Sequence, residues 1–184
     1  EHNIDKFILI STDKAVRPTN IMGATKRFAE KISMSFANKF KDSNTKVYIV
    51  RFGNVIGSAG SVIPLFNEQI KNKEILTITH PDITRYFMKI SEAVGLVLLS
   101  STFRTSGNVY FLNMGEPLKI KDIAIKMIKL YGFKVKNTDD EDGDIKILYT
   151  GLRPGEKIEE ILMTDAERKI AIEKDKMWVI KNKF

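Results

Sequence analysis

The sequence predicts an α/β chain with parallel strands, and three observations carry that prediction. Short apolar runs alternate with longer stretches of helical period. The first two runs are separated by a helical segment long enough for a crossover, which is right-handed and leaves the strands parallel. The balance of 43% hydrophobic and 29% charged residues in 184 is that of a folded globular unit, about one domain in length.

Phe7-Ile8-Leu9-Ile10 is a continuous apolar run ended by Ser11-Thr12-Asp13, which predicts a strand buried on both faces. Pro18 and Asn20 punctuate the loop that follows, and from Ile21 the pattern is helical, with Phe28, Ile32, Phe36 and Phe40 forming one apolar stripe. Lys46–Phe52 is β-branched and aromatic, a second strand. After Gly53 and Gly57-Ser58-Ala59-Gly60, a helix is expected over Ser61–Lys71, a strand over Leu76–Thr79 and an extended piece over Thr84–Ile90. Ser91-Glu92 is placed to cap an apolar helix Ala93–Leu99, Asn108–Leu112 reads as a strand, Ile120–Tyr131 as an amphipathic helix and Ile145–Thr150 as a strand. Asn137–Asp144 is an acidic surface loop, and the charged tail from Thr164 is expected to be helical, with Trp178 as a docking anchor.

The charge sum of 30 basic minus 23 acidic gives +7, but the lysines lie among acidic neighbours and no basic block interleaved with aromatics appears, which argues against nucleic acid as a partner. No cysteine is present, so disulfides, thiolate metal sites and a thiol nucleophile are excluded, and two histidines, His2 and His80, are too few for most histidine-built metal sites. No metal is expected. No apolar run approaches the roughly 18 residues of a spanning helix, so no membrane contact is expected from this segment. Glutamate stands first, with no helix, cap or signal pattern before the first strand, and the chain reads as part of something longer.

In alternating architectures ligands sit at the carboxyl ends of parallel strands, so Ser11-Thr12-Asp13-Lys14 and Phe52-Gly53-Asn54 are expected to face one crevice. Beyond the first of these, Met22 and Lys26 stand one helical turn apart on one face. The pattern resembles the short-chain dehydrogenase/reductase arrangement of a Ser/Thr strand end facing Tyr-x-x-x-Lys on the next helix, with Met22 where the tyrosine would be. A thioether cannot exchange a proton, so either the site is inactive or another group serves as base, and Thr12, Asp13 and Lys14 sit at the strand end where that group would have to be. On spacing alone the same residues also fit a simple capping turn.

The run STDKAVRPTNIMGATKR (Ser11–Arg27) resembles the CapD-like polysaccharide biosynthesis family of nucleotide-sugar 4,6-dehydratases, in which methionine is common at that place. RFGNVIGSAGSVIPLF (Arg51–Phe66), THPDITRYFM (Thr79–Met88), NMGEP (Asn113–Pro117) and GLRPGEK (Gly151–Lys157) resemble the same family in the same order. The resemblance runs from Phe7 to Leu162. It implies the carboxyl-terminal part of an extended short-chain dehydrogenase/reductase fold of Rossmann type, with the glycine-rich dinucleotide fingerprint upstream of Glu1. Residues 1–60 would belong to the catalytic core, 61–163 to a substrate-binding region interleaved with the remaining core, and 164–184 to the tail.

The activity implied is NAD-dependent conversion of UDP-N-acetylglucosamine to the 4-keto-6-deoxy sugar nucleotide in bacterial surface glycan synthesis. By resemblance Asp13 is the acid for the departing hydroxyl, and the carbon-4 proton goes to Asp13 as first choice or to Thr12 through water as second. Lys14 is the base at carbon 5, Thr12 holds the carbon-4 oxygen, and Lys26, with Ser11, holds the cofactor. Asn54, Ser61, Arg85, Arg153 and Glu156 are implied substrate contacts, with the two arginines clamping the pyrophosphate and Glu156 meeting ribose hydroxyls. His80, before Pro81, reads as a turn residue. Homo-oligomerisation of the full-length protein is implied, as is a cytoplasmic location, at the inner-membrane face where the upstream part carries membrane helices. An epimerase or reductase of the same superfamily, or a non-catalytic nucleotide-sugar-binding fragment, are the competing readings.

Overall fold

The structure is a computed structural model and describes residues 4–136, 143–174 and 176–182. His2 and most of the acidic stretch Asn137–Asp144 lie outside the described residues. In chain order the elements are β1 (Lys6–Thr12), α1 (Ile21–Lys39), β2 (Lys46–Phe52), β3 (Asn54–Val55), α2 (Val62–Lys71), β4 (Leu76–Ile78), β5 (Thr84–Arg85) and β6 (Phe87–Met88). Then follow α3 (Ile90–Ser100), β7 (Val109–Leu112), β8 (Leu118–Lys119), α4 (Ile120–Leu130), β9 (Val135–Lys136), β10 (Ile145–Tyr149), α5 (Asp165–Arg168), β11 (Ala171–Lys174) and β12 (Met177–Ile180). No helix among the described residues is long and apolar enough to cross a membrane.

The chain forms two compact units, Glu1–Gly53 with Met88–Gly115 and Ile161–Phe184, and Asn54–Phe87 with Glu116–Glu160. In the first, five strands lie in the order β1-β2-β7-β12-β11. β1, β2 and β7 are parallel, as the crossover rule requires, and β11 and β12 add an antiparallel hairpin. β2 is the buried strand, and its alternating side chains feed two cores. Ile49 packs with Met34 of α1, Val109, Phe111 and Ile180, whereas Tyr48 and Val50 pack with Leu96 of α3, Tyr110 and Met177.

Three expectations are corrected here. β1 is at the sheet edge, with Phe7 and Ile10 exposed, so it is not buried on both faces. The stripe Phe28, Ile32, Phe36 and Phe40 does form one face of α1, but that face is exposed, from 68% at Phe28 to 44% at Phe40. α1 instead buries Gly23, Glu30, Ser33, Met34 and Ala37, and most of these are small enough to bring its backbone close to the sheet. The N-cap of α3 is Lys89, whose N–H donates to Glu92 at 2.6 Å, so the cap lies two residues earlier than Ser91. The tail is a single helical turn followed by the β11–β12 hairpin, in which Met177 and Val179 join one core and Trp178 and Ile180 the other, the alternation of a strand, with Trp178 on the α1 side of its own sheet.

In the second unit β4, β10 and β9 form a parallel sheet, and β5 pairs with β8 antiparallel. α2 and α4 contribute Phe66, Ile70, Ile120, Ala124 and Ile128 to a core shared with Leu76, Ile78 and Ile145. The unit division falls at Gly53 and Glu160, and the returning segment 88–115 supplies α3 and β7 to the first unit.

Candidate active site

β1 ends at Thr12 beside Phe52 of β2, so the carboxyl ends of two parallel strands stand side by side. The chain then enters one 3-10 turn, Asp13–Ala15, capped by Thr12. Thr12 Oγ1 accepts from the Lys14 N–H at 3.4 Å and donates to Asp13 Oδ1 at 2.9 Å. Asp13 is fully buried, and its Oδ1 lies 3.0 Å from Lys14 Nζ. Its other oxygen, Oδ2, is buried with no hydrogen-bond partner. A buried acceptor left without a donor costs about 1–3 kcal/mol, so Oδ2 is an atom that an incoming hydroxyl would satisfy.

α1 brings its residues to this turn through an unusually close approach. Asn20 caps the helix, accepting from the Gly23 N–H at 2.8 Å, and a methyl group placed on Gly23 would lie 2.3 Å from the Lys14 carbonyl oxygen. Only glycine fits there. Met22 is exposed, and Lys26 directs one of its three N–H donors at Ile10 O, 3.2 Å away. Ser11, expected at the cofactor, has its hydroxyl buried and committed to Glu30 Oε1 at 2.6 Å, so any cofactor contact from Ser11 falls to its backbone.

That bond leads into an ionic cluster that sequence reasoning missed. Arg51 is fully buried and grips Glu30 bidentately, Nε to Oε1 at 3.0 Å and Nη2 to Oε2 at 2.8 Å. It also donates to Glu167 Oε1 at 3.2 Å and to Leu162 O at 2.9 Å. Arg27 bridges the same two carboxylates at 2.8 and 3.0 Å. Two guanidiniums thus offset two carboxylates. Burial alone would raise both acids, but Arg51, aided by Ser11 and Arg27, brings Glu30 below its ordinary value. At Glu167 the Arg51 charge and hydrogen bond, the Thr164 N–H and Arg27 also outweigh burial and hold the carboxyl at about 2. The available signal was Arg51 itself, a charge inside the stretch Val47–Phe52 that is otherwise aliphatic and aromatic.

In the second unit, Asn54, Ser61, Arg85, Arg153 and Glu156 all line one cavity of about 210 Å³, together with Thr77, Thr79 and Thr150. Asn54 sits on β3, its N–H bonded to Tyr86 O at 2.9 Å. Ser61 stands at the N-terminus of α2, yet its hydroxyl makes no capping bond and its buried Oγ has no partner. Arg85 is nearly buried, with Nη1 donating to Thr84 O at 2.7 Å and Ile158 O at 3.1 Å, and Nη2 to Glu156 Oε1 at 3.3 Å. Glu156 also accepts from Thr79 Oγ1 at 3.2 Å and from the Arg153 N–H at 3.1 Å, so this carboxylate organises the cavity wall as well as facing it. The Arg153 side chain is exposed at the rim. His80 Nδ1 accepts from the Asp82 N–H at 3.2 Å, a turn contact.

The parallel strands, the ionisable turn after β1 and the helix carrying Lys26 are arranged as in the carboxyl-terminal part of a short-chain dehydrogenase/reductase fold of Rossmann type. Residues 1–182 match the sequence profile of the polysaccharide biosynthesis protein family, and the chain belongs to that family. It is 48% identical over 167 residues to the capsular polysaccharide biosynthesis protein CapD of Staphylococcus aureus, a match covering 91% of this chain and 26% of that one. It is 36% identical to a UDP-glucose 4-epimerase of Rickettsia akari, covering 90% of this chain and 46% of the relative. Among solved structures, Pen from Bacillus thuringiensis superposes with a TM-score of 0.86 at 35% identity, over 97% of this chain and 53% of that one. At 14% identity and a TM-score of 0.70, DesIV, a dTDP-glucose 4,6-dehydratase from Streptomyces venezuelae crystallised with NAD, shares the fold over 90% of this chain and 54% of its own. The chain therefore spans about half, or less, of the length of the proteins it matches.

Proposed function

We propose that this chain supplies catalytic and substrate-binding residues of an NAD-dependent nucleotide-sugar 4,6-dehydratase acting on UDP-N-acetylglucosamine. The observation that carries the reading is the Asp13–Lys14 pair at the end of β1, with Asp13 Oδ2 buried and unpartnered, beside a helix that has methionine rather than a phenol one turn before Lys26. NAD fits the remaining capacity of the site: Lys26 reaches the carboxyl end of a parallel strand with one N–H donor used, and a ribose diol can take others. When bound, NAD supplies the acceptor and donor of a hydride.

The chain's own residues then handle two protons. Asp13 accepts the carbon-4 hydroxyl proton, and Thr12, bonded to the same carboxylate, holds the carbon-4 oxygen. Lys14, as the neutral amine, takes the proton on carbon 5, and Asp13 hands its proton to the departing carbon-6 hydroxyl, which leaves as water. At that stage the two side chains are a carboxylate and an ammonium. Lys14 returns a proton to carbon 5 and the cycle closes with no net change in either group. Arg85 and Arg153 provide guanidiniums for a pyrophosphate, and Asn54, Ser61 and Glu156 face the same cavity.

A UDP-sugar 4-epimerase is the second reading, favoured by the Rickettsia akari relative's name. The test is conversion of UDP-N-acetylglucosamine by the full-length protein in deuterated water, followed by NMR. A 4-keto-6-deoxy product with deuterium at carbon 5 supports elimination. Turnover that keeps the carbon-6 hydroxyl supports the epimerase.

A further inference from the structure

We propose that Glu30 is a positioning residue for the reacting segment, acting through the Ser11 hydroxyl to hold the end of β1 against α1. The proposal rests on the reading of Thr12–Lys14 as that segment. Its basis is a pair of rungs between the strand and the helix. Lys26 donates to Ile10 O at 3.2 Å, and one helical turn later Glu30 accepts from the side chain of the next strand residue, Ser11, at 2.6 Å. Thr12 and Asp13 follow directly, so these two bonds determine where the buried carboxylate of Asp13 is presented.

Glu30 is suited to that duty because it cannot turn. Its two oxygens accept from Ser11, Arg27, and Arg51 twice, at 2.6 to 3.0 Å. Arg51 lies on β2, in register with Ser11 itself, and is braced by Glu167 and by Leu162 O. A carboxylate held from four directions has one rotamer, and its acceptor lobe toward Ser11 is fixed with it. Stability alone does not explain such a cluster. An ionic group buried at this depth commonly gives no more stability than apolar residues of similar volume, whereas it does specify a single arrangement. What it specifies here is the register between the strand that carries Asp13 and the helix that carries Met22 and Lys26.

The test uses Ser11→Ala in the full-length protein, which removes the link and leaves every ion pair of the cluster in place. Hydrogen exchange followed by mass spectrometry is expected to show residues 12–16, where the Val16 N–H bonds Asp13 O at 2.9 Å, exchanging at least ~10-fold faster, while residues 47–51 of β2 keep their protection. With UDP-N-acetylglucosamine, kcat is expected to fall about 10-fold with KM within about 2-fold, because orientation of the reacting groups is lost and substrate binding is not. Unchanged exchange at 12–16, or a loss of activity that only tracks the loss of folded protein, overturns the proposal. If Ser11→Ala does not fold, Ser11→Cys, similar in volume with a weak donor, reads the same two quantities. A wild-type protein that does not dehydrate the substrate would sink the functional reading instead, and the exchange measurement would still decide the role of Glu30.

Discussion

Asp13 Oδ1 and Lys14 Nζ lie 3.0 Å apart, while the second oxygen of the same buried carboxylate meets no donor. Adjacent in sequence and folded into one turn, the two side chains form one pair that leaves a carboxylate oxygen to accept from a hydroxyl. Asp13→Asn and Lys14→Met are each expected to lower kcat at least ~100-fold, as loss of a general acid or base does. UDP affinity by calorimetry should stay within about 3-fold in both. Because the pair works as a unit, the double variant should be little worse than either single one, and near-additive losses would show that the residues act separately.

In the proposed reading Met22 stands where a proton-carrying phenol would be; its exposed side chain has no proton to give, and the part proposed for it is one of shape. Met22→Leu is expected to keep kcat within about 3-fold in a steady-state assay. A loss of 30-fold or more would mean that the sulfur itself takes part.

Much of this was legible in the sequence, and the parts that were not share a physical cause. The first strand, the crossover helix and the second strand follow from local period, and the cavity residues Asn54 and Glu156 from motif. Which face of α1 turns inward did not follow, because a large apolar stripe is usually a buried one, and here the sheet accepts Gly23, Ser33 and Ala37 instead. Glu30 and Glu167 look like ordinary exposed acids on helices. Only the fold shows that Arg51 reaches both. The tail was misread because Met177–Ile180 is a short continuous apolar run set among charges, which periodicity alone cannot assign to strand or helix.

Arg51 is the hinge of the ionic cluster, and its loss is predicted to be felt in stability before chemistry. Arg51→Ala strands two buried carboxylates with Arg27 alone and should cost on the order of 3–5 kcal/mol in denaturant titration. Arg51→Lys should recover only part of this, because an ammonium cannot reproduce the bidentate grip. A change under about 1 kcal/mol in the alanine variant would count against the cluster.

The same cluster predicts the sign of the acid response. The folded-state values of Glu30 and Glu167 lie below the ordinary 4.5, with Glu167 at about 2, so their stabilisation is full above the ordinary value and is lost as pH falls through the folded ones. Unfolding free energy should thus be flat with respect to these groups above about pH 5.5 and decline from about 4.5 toward 2. Glu167→Gln should flatten part of that decline. An unchanged slope in this variant would refute the assignment.

Arg85 and Arg153 face the same cavity with opposite structural commitments. Arg85 ties Thr84 O, Ile158 O and Glu156 together from a nearly buried position, whereas Arg153 is exposed at the rim. Arg153→Ala should therefore raise KM about 10-fold at unchanged melting temperature, the effect of losing a charged contact to an anionic substrate. Arg85→Ala should raise KM and also lower the melting temperature, since it leaves two carbonyls and a carboxylate short of donors. Equal thermal effects of the two substitutions would contradict this division.

Gly23 gives the sharpest test, because two effects of one methyl group have opposite signs. Alanine is the better helix former by about 1 kcal/mol, so in an open position of α1 the substitution would stabilise. Here the added carbon would sit 2.3 Å from the Lys14 carbonyl oxygen, a backbone atom that no side-chain rotation can move aside. Relief requires α1 and the Asp13–Ala15 turn to separate, and overpacking of this kind typically costs 1–3 kcal/mol. Gly23→Ala is expected to be destabilising by about that range in denaturant titration. It should also lower kcat at least ~10-fold, since the displaced carbonyl belongs to the proposed base. A variant as stable and as active as the wild type would show that the close approach of α1 to Lys14 is not what sets the reacting turn in place.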